Sequence, residues 1–146
     1  MREKVILLVE DNPDDVALTM RALRRHGIAN EIMHVPDGVA ALDFLRAQGP
    51  YEHRRGHSLP TLMLLDLNLP RLNGLEVLRR IRADPTLHRL PVVILTSSKE
   101  ETDVATGYDL GVNSYVRKPV DFLEFVEAVR SLGTYWMLVN ERPPAT

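Results

Sequence analysis

The chain has 146 residues, of which 45% are hydrophobic and 26% are charged, so it suits one globular domain rather than a disordered segment. Its formal net charge of −2 argues against nucleic acid or an anionic membrane as a partner. The absence of cysteine excludes disulfides, cysteine-based zinc sites and iron–sulfur clusters, and it fits a cytoplasmic protein.

The N-terminus carries a short apolar run, residues 5–9, which acidic residues follow at once. A secretory signal needs a longer apolar stretch with a small-residue cleavage site, and a membrane span needs about 20 apolar residues. We therefore expect neither export by the usual signal nor a membrane-spanning helix.

Short apolar runs recur along the chain. Strong runs occupy residues 5–9, 62–65 and 92–95, and weaker candidates occupy residues 32–35 and 114–116. Continuous apolar runs of this length are typical of strands that are covered on both faces, as in parallel sheets.

Helical patterns with recognisable starts lie between these runs. Asn12 is predicted to cap a helix that begins at Pro13 and ends at Gly27. The other predicted caps are Asp37, Asn73, Ser98 and Asp121, the last three with a glutamate three positions later. Five βα units in succession predict an open α/β fold with a doubly wound parallel sheet, and they are too few for a (β/α)8 barrel.

Residues 48–59 break this alternation. The segment contains two glycines, Pro50 and a basic cluster at residues 53–57. We interpret it as a long solvated connection before the third strand rather than as a ligand site.

Polar residues stand directly after four of the apolar runs. They are, in chain order, Glu10, Asp11, Asp66, Asn68, Thr96 and Lys118. Open α/β sheets bind ligands beyond the carboxyl ends of their strands, so these side chains are expected to converge on one edge.

The chemistry of this cluster points to phosphoryl transfer. Neighbouring carboxylates repel one another unless a cation joins them, and a hard divalent ion such as Mg²⁺ prefers oxygen ligands. A lysine adds a point charge that suits a phosphoryl oxygen, and an aspartate can act as the nucleophile. Lysine is scarce here, with 3 residues against 15 arginines, and Lys118 precedes Pro119, where a cis peptide bond is a candidate.

Four ordered motifs resemble the receiver domain of two-component response regulators. They are residues 9–12, residues 65–70 with Gly74, residues 95–97 and residues 115–119. The resemblance covers residues 4–132 and implies a (βα)5 flavodoxin-like sheet with strand order 2-1-3-4-5. We therefore predict a receiver domain at residues 1–132, followed by a C-terminal helix extension and tail at residues 133–146.

The resemblance also implies which residues bind metal and accept phosphate. Asp66 is the expected phospho-acceptor. Asp11, Asp66 and the backbone carbonyl of Asn68 are the expected ligands of Mg²⁺ or Mn²⁺, and Glu10 would hold a metal-bound water.

The remaining roles concern the phosphoryl group and the switch. Lys118 would bind a phosphoryl oxygen, Thr96 would donate a hydrogen bond to another, and Tyr115 matches the aromatic switch position. The fourth helix has a thin predicted apolar face, mainly Val104, Ala105 and Tyr108, which suits a movable surface. The alternative is a marginal surface helix without a signalling role.

The implied function is that of a single-domain response regulator. It would take a phosphoryl group from a sensor histidine kinase and signal by conformational change; it would not be an enzyme, although it would assist its own phosphorylation and dephosphorylation. The long loop before the third strand and the Tyr135-Trp136 tail also resemble the small response regulators paired with bacterial phytochromes. That second resemblance implies a light-sensing kinase as partner.

Two rival functions depend on residues near the same strand ends. An aspartyl-phosphate phosphatase of the haloacid dehalogenase type needs an acid two residues after its nucleophile, where this chain has Asn68. A flavodoxin-like flavin protein needs a hydroxyl-rich phosphate loop after the first strand, where residues 10–15 are mostly acidic.

The C-terminal region predicts a homodimer. The apolar residues Phe125, Val129, Leu132, Trp136 and Val139 are spaced by 4, 3, 4 and 3, which is typical of a seam that pairs helices. The alternative is that the tail folds back on its own domain, with a bend at Gly133.

Overall fold

Five strands and five α-helices alternate along the part of the chain that the computed structural model describes, residues 4–25, 31–97, 100–119 and 121–144. The strands are β1 (Val5–Val9), β2 (Glu31–Val35), β3 (Leu62–Leu65), β4 (Val92–Thr96) and β5 (Ser114–Arg117). The α-helices are α1 (Pro13–Arg25), α2 (Gly38–Arg46), α3 (Gly74–Ala83), α4 (Glu101–Asp109) and α5 (Phe122–Thr134). A 3-10 helix (Gly49–Arg54) follows α2, and a π-helical turn (Tyr135–Val139) continues α5.

The strands form one parallel sheet in the order β2-β1-β3-β4-β5, which confirms the predicted topology. Every residue of β1, β3 and β4 is buried, as the continuous apolar runs predicted. Val9 stands opposite Val35 and Leu65, so the residues that follow these strands emerge at the same edge.

Two apolar layers cover the sheet. Alternate strand residues such as Leu7 and Met63 pack with α2 and α3, while their neighbours Ile6 and Leu64 pack with α1 and α5. This division follows the two-residue period of a strand, which sends successive side chains to opposite faces.

Most predicted helix caps are confirmed. The side chain of Asp37 accepts a hydrogen bond from the amide of Ala40, and Asn73 and Asp121 cap α3 and α5 in the same manner. Asn12 accepts from the amides of Asp14 and Asp15 at the start of α1. The residue before α4 is Glu100, which makes no side-chain cap; Ser98 and Gly27, the predicted cap and helix end, lie outside the described residues.

The predicted apolar face of α4 was wrong. Val104 is half-buried, whereas Ala105 and Tyr108 are exposed, and Gly107 is the buried residue of the helix. A Cβ at Gly107 would lie 3.2 Å from Ile94 Cδ1 and 3.4 Å from Tyr115 Cδ2, so the missing side chain lets the helix backbone approach the sheet.

The C-terminal seam packs largely inside its own domain. Phe125, Val129 and Trp136 are buried in the layer that contains α1, whereas Val139 is 67% exposed. The π-helical turn changes the phase of the side chains, because its bonds join residues five apart, as from the amide of Asn140 to the carbonyl of Tyr135 at 2.7 Å. The predicted a/d seam of Phe125, Val129 and Trp136 is therefore not available to a partner, and Gly133 continues α5 without a bend.

Among the residues that the structure describes, every helix is too short or too polar to span a bilayer.

Candidate functional site

Asp66 is held at the carboxyl edge of the sheet by its backbone. Its amide donates to the carbonyl of Val9 at 3.1 Å, which extends the pairing of β1 and β3 by one residue. Behind it, a Cβ at Gly74 would lie only 2.3 Å from the Asp66 carbonyl oxygen. Glycine at position 74 therefore lets α3 begin directly against the strand end, which fixes the position of Asp66.

The carboxylate of Asp66 is buried and accepts hydrogen bonds on both oxygens. Oδ1 accepts from the hydroxyl of Thr96 at 2.7 Å and from the amide of Asn68 at 3.1 Å, and Oδ2 accepts from Lys118 Nζ at 2.9 Å. Burial alone would raise the pKa of Asp66, but the hydrogen bonds from Lys118 and Thr96 outweigh it and lower that pKa below its usual range. Asp66 is thus an ionised carboxylate in a largely desolvated position.

Lys118 is the cationic centre of the site. Its side chain is 9% exposed, and its ammonium contacts three carboxylates: Glu10, Asp15 at 2.7 Å and Asp66 at 2.9 Å. Burial by itself would lower the pKa of Lys118, but the hydrogen bonds to these carboxylates raise it above its ordinary value.

The peptide bond between Lys118 and Pro119 is trans, as are all the peptide bonds in the described ranges, so the predicted cis peptide bond was wrong.

Asp15 belongs to this site, although sequence reasoning missed it. It stands three positions after the cap Asn12, in the first turn of α1, within the mostly acidic residues 10–15. Side chains in the first turn of a helix point back toward its N-terminus, which here lies next to the end of β1. That direction, together with a single lysine just after β5, was the signal that could have identified Asp15 as part of the site.

Glu10 is 3% exposed and lies beside the other charges. It accepts from Lys118 through Oε1 and from the amide of Asn12 through Oε2 at 3.1 Å, while its backbone carbonyl contacts His34 Nε2 at 2.7 Å. Burial, with a smaller effect from the nearby charge of Asp66, raises the pKa of Glu10 to about 7.

This pKa predicts a pH-dependent stability for the metal-free protein. Because the pKa of Glu10 is raised from 4.5 to about 7 on folding, the stability that its proton confers is complete at low pH and is lost as the pH rises through 7. As the pH rises from about 5 to about 8, the free energy of unfolding of Glu10→Gln should therefore increase relative to that of the wild type by on the order of 2 kcal/mol. Urea unfolding in the presence of EDTA measures this, with Glu101→Gln, at an exposed position, as control; a pH-independent difference would contradict it.

The other predicted residues lie at the rim. Asp11 and Asn68 are exposed next to the buried carboxylates, and Tyr115 is half-buried on β5. Within the described residues, no three acidic or histidine side chains stand ready as a metal-binding group. Glu10, Asp15 and Asp66 instead each contact the Lys118 ammonium. The donor set itself, carboxylates with an adjacent backbone carbonyl, has the oxygen chemistry that suits a hard divalent ion.

Comparison with known proteins agrees with this geometry. The family model of the response regulator receiver domain matches residues 6–130. The chain belongs to the response regulator receiver family. Response regulator Rcp1 of Synechocystis sp. is 42% identical over 142 residues, which are 97% of this chain and 95% of the relative.

Solved structures of receivers superpose closely on the fold. The Mn²⁺-bound form of Rcp1 has a TM-score of 0.90 at 41% identity, covering 97% of this chain and 99% of that one. The phosphorylated cyanobacterial phytochrome response regulator RcpA has a TM-score of 0.90 at 40% identity, with the same coverage. The bacteriophytochrome response regulator RtBRR has a TM-score of 0.76 at 49% identity, covering 99% of this chain and 86% of that one.

These comparisons confirm the receiver fold and the likeness to phytochrome response regulators that the sequence motifs predicted. This receiver is a two-component signalling domain, and such a domain implies a histidine kinase as its partner.

Proposed function

We propose that the chain accepts a phosphoryl group from a sensor histidine kinase on Asp66 and passes the signal on by a conformational change. The observation that carries this proposal is the Asp66 carboxylate, which is buried at the sheet edge yet kept ionised by Lys118 and Thr96. A buried anion with fixed partners is a suitable nucleophile, because it has no solvation shell to lose before it attacks.

The transfer needs no proton from Asp66. Its oxygen forms the new bond to phosphorus while the bond from phosphorus to the donor imidazole nitrogen breaks. Lys118, already 2.9 Å from Oδ2, is placed to follow the negative charge onto a phosphoryl oxygen, and Glu10 and Asp15 hold it near that position. This chain thus assists its own phosphorylation, and by the same contacts it assists the later hydrolysis, without being an enzyme that turns over a separate substrate.

A divalent cation is part of the proposal. Asp11, Asp66 and the backbone carbonyl of Asn68 would hold Mg²⁺, or Mn²⁺ as in the Rcp1 structure, with Glu10 holding a bound water. When bound, the ion neutralises charge on the transferring phosphoryl group. Among these residues, the exposed position of Asp11 leaves its carboxylate accessible to a cation from solvent.

The metal requirement gives the experiment that tests the function. Asp11→Ala should weaken Mg²⁺ binding by at least about tenfold and slow phosphorylation by acetyl phosphate, because a direct oxygen ligand is lost. Mg²⁺ titration and intact-protein mass spectrometry measure the two effects. Asp14→Ala is the matched control, since Asp14 is an exposed acid three positions after Asp11, in the first turn of α1, and is not among the carboxylates that contact Lys118. Full phosphorylation in metal-free buffer would rule out the mechanism.

We propose that phosphorylation causes a conformational change that passes from Thr96 to Tyr115. The Thr96 hydroxyl is fully buried and donates to Asp66, so a phosphoryl group on Asp66 would become its new acceptor. A shift of Thr96 changes the space next to Tyr115, against which the backbone of α4 packs closely at Gly107. Because Gly107 alone is buried among the residues of α4, this helix is weakly anchored and suited to move.

A phytochrome kinase is the proposed partner class, on the strength of the likeness to RcpA and RtBRR. The division into a receiver body (residues 1–132) and a C-terminal extension (residues 133–146), the cytoplasmic location, and the absence of direct nucleic-acid or membrane contact stay predictions.

Dimerisation through the C-terminal region also stays a proposal, with a changed set of residues. Because Phe125, Val129 and Trp136 are buried, the contact would use Tyr135, Leu138 and Val139, which are 50%, 62% and 67% exposed. Exposed apolar side chains grouped in this manner are typical of contact surfaces.

Substitution at this surface tests the dimer without disturbing the core. Leu138→Glu should shift the full chain to the monomer in analytical ultracentrifugation, because a charge would be buried at the contact. Leu123→Glu is the control, since Leu123 is 73% exposed at the other end of α5. A wild type that stays monomeric at high micromolar concentration, phosphorylated or not, would contradict the proposal.

A further inference from the structure

A cavity of about 700 Å³ lies at the edge of the sheet opposite the phosphorylation site. Thr61, which precedes β3, and Pro91, which precedes β4, line it, so it opens at the amino ends of the strands. Strands of this length separate the two edges by about 15 Å. The walls come from the end of α2, the segment before β3, the α3–β4 connection and residues 142–144.

The lining of this cavity is strongly basic. Its arginines are Arg46, Arg54, Arg55, Arg89 and Arg142. Of the described residues that line it, none is aspartate or glutamate, although the whole chain carries a net charge of −2. Two of these arginines pair with acids outside the lining, Arg46 with Asp84 at 3.6 Å and Arg55 with Glu52 at 3.9 Å. The cavity is therefore a local site of positive potential in an acidic protein.

Arg54 is held in place before any ligand arrives. Its guanidinium lies 3.7 Å from the centre of the Phe44 ring, and Nη1 donates to the Phe44 carbonyl at 3.0 Å. Tyr51 packs edge-on against the same ring at 5.3 Å. The guanidinium has five N–H donors, so these contacts orient it while leaving further donors for an anion.

Thr61 supplies an independent sign of an absent partner. The residue lines the cavity and is 3% exposed, and its backbone amide donates to the Val5 carbonyl at 2.8 Å. Its hydroxyl oxygen, in contrast, has no hydrogen-bond partner in the described part of the chain. Buried hydroxyls without a partner are uncommon in folded proteins, and this one stands beside the basic cavity.

We propose that this cavity binds a small organic phosphate of about nucleotide size. Arginine side chains recognise phosphate oxygens through paired hydrogen bonds, and a cavity of this volume is in the range of small-molecule sites. Leu45, Leu59 and Leu90 add apolar surface that suits the organic part of such a ligand. The site is distinct from Asp66 and does not depend on the proposed phosphorylation.

The test titrates the full chain with adenosine monophosphate (AMP) by calorimetry, with adenosine as the uncharged comparison. AMP is expected to bind with a Kd below about 1 mM, and adenosine at least about tenfold more weakly, since it lacks the phosphate. Backbone NMR should place the shifted amides at residues 54–61 and leave that of Thr96 unchanged.

Variants then assign the binding to the cavity. Arg54→Gln and Thr61→Val should each weaken AMP binding, the first by about tenfold or more because a charged donor is lost. Thr61→Val keeps the side-chain shape and serves if Arg54→Gln fails to fold. Arg79→Gln, on the exposed face of α3, is the matched control and should bind as the wild type does.

Several outcomes would overturn the proposal. They are no AMP binding at about 10 mM, equal affinity in Arg54→Gln and Thr61→Val, weakened binding in Arg79→Gln, and NMR shifts centred on Thr96. Displacement of AMP by hexaglutamate at an equal concentration would assign the cavity to an acidic protein segment instead, and would also overturn it.

Discussion

Asp66→Asn is expected to abolish stable phosphorylation by acetyl phosphate in the presence of Mg²⁺. The amide has nearly the shape of the carboxylate and can still accept the hydrogen bond from Thr96, so the fold should persist. It has no anionic oxygen to attack phosphorus, however, and Lys118 loses one of its carboxylate partners. The phosphorylated fraction should fall by at least about 100-fold, measured as the mass gained by the intact protein.

The matched control for this experiment is Asp15→Asn. It makes the same chemical change in another carboxylate that binds Lys118, at 2.7 Å, but outside the proposed nucleophile position. This variant should still gain one phosphoryl group. Peptide mapping that placed the phosphate of the wild type on Asp11 or Ser97 would overturn the assignment of Asp66.

The sequence predicted the core of the fold because its signals were local. Continuous apolar runs identified the buried strands β1, β3 and β4, since only a doubly covered strand has no polar side. Caps such as Asp37 and Asn73 marked helix starts through the orphan amides that they satisfy. Because parallel strands share one carboxyl edge, the same reading brought Glu10, Asp66 and Thr96 together correctly.

The features that the sequence missed depend on packing between distant elements. That Lys118 contacts Asp15, 103 residues away, follows from the packing that brings the start of α1 beside the residue after β5, and from no local pattern. Most of the connection at residues 48–59 is exposed, in keeping with the predicted solvated connection. That its residues 54–59 also line a cavity was not predictable, because the cavity requires the α3–β4 connection and residues 142–144 to lie opposite them. In α4, the buried residue is Gly107, and a search for apolar side chains at helical spacing does not identify a glycine as buried.

The predicted helix-pairing seam of the C-terminal region was wrong for a different physical reason. A spacing of 4, 3, 4 and 3 describes a stripe on a helix, but it does not say whether that stripe covers the same domain or a second chain. Here α5 packs beside α1, and the π-helical turn sends Trp136 and Met137 into the same layer, at 8% and 3% exposure. A chain ending at Gly133 would lose both side chains, so truncation there would test folding rather than dimerisation.

Trp136→Ala is accordingly expected to lower the free energy of unfolding by about 3–5 kcal/mol, the usual cost of removing a large buried aromatic side chain. The indole packs in the layer that contains Phe125 and Val129, and its ring meets that of Tyr135 edge-on at 5.2 Å, so its loss would leave a cavity in the core. Leu123→Ala, at a 73% exposed position at the other end of α5, is the control and should change stability by less than about 0.5 kcal/mol.

Urea unfolding at two widely separated protein concentrations distinguishes a core role from an interface role. If Trp136 stabilises its own domain, as its burial indicates, the loss in Trp136→Ala is the same at both concentrations, because no association contributes to it. If Trp136 instead paired two chains, its substitution would matter only at the concentration where the wild type is dimeric. If the stability difference between the wild type and Trp136→Ala vanished on dilution, Trp136 would lie in the predicted seam between two chains. That result would contradict the packing described for α5.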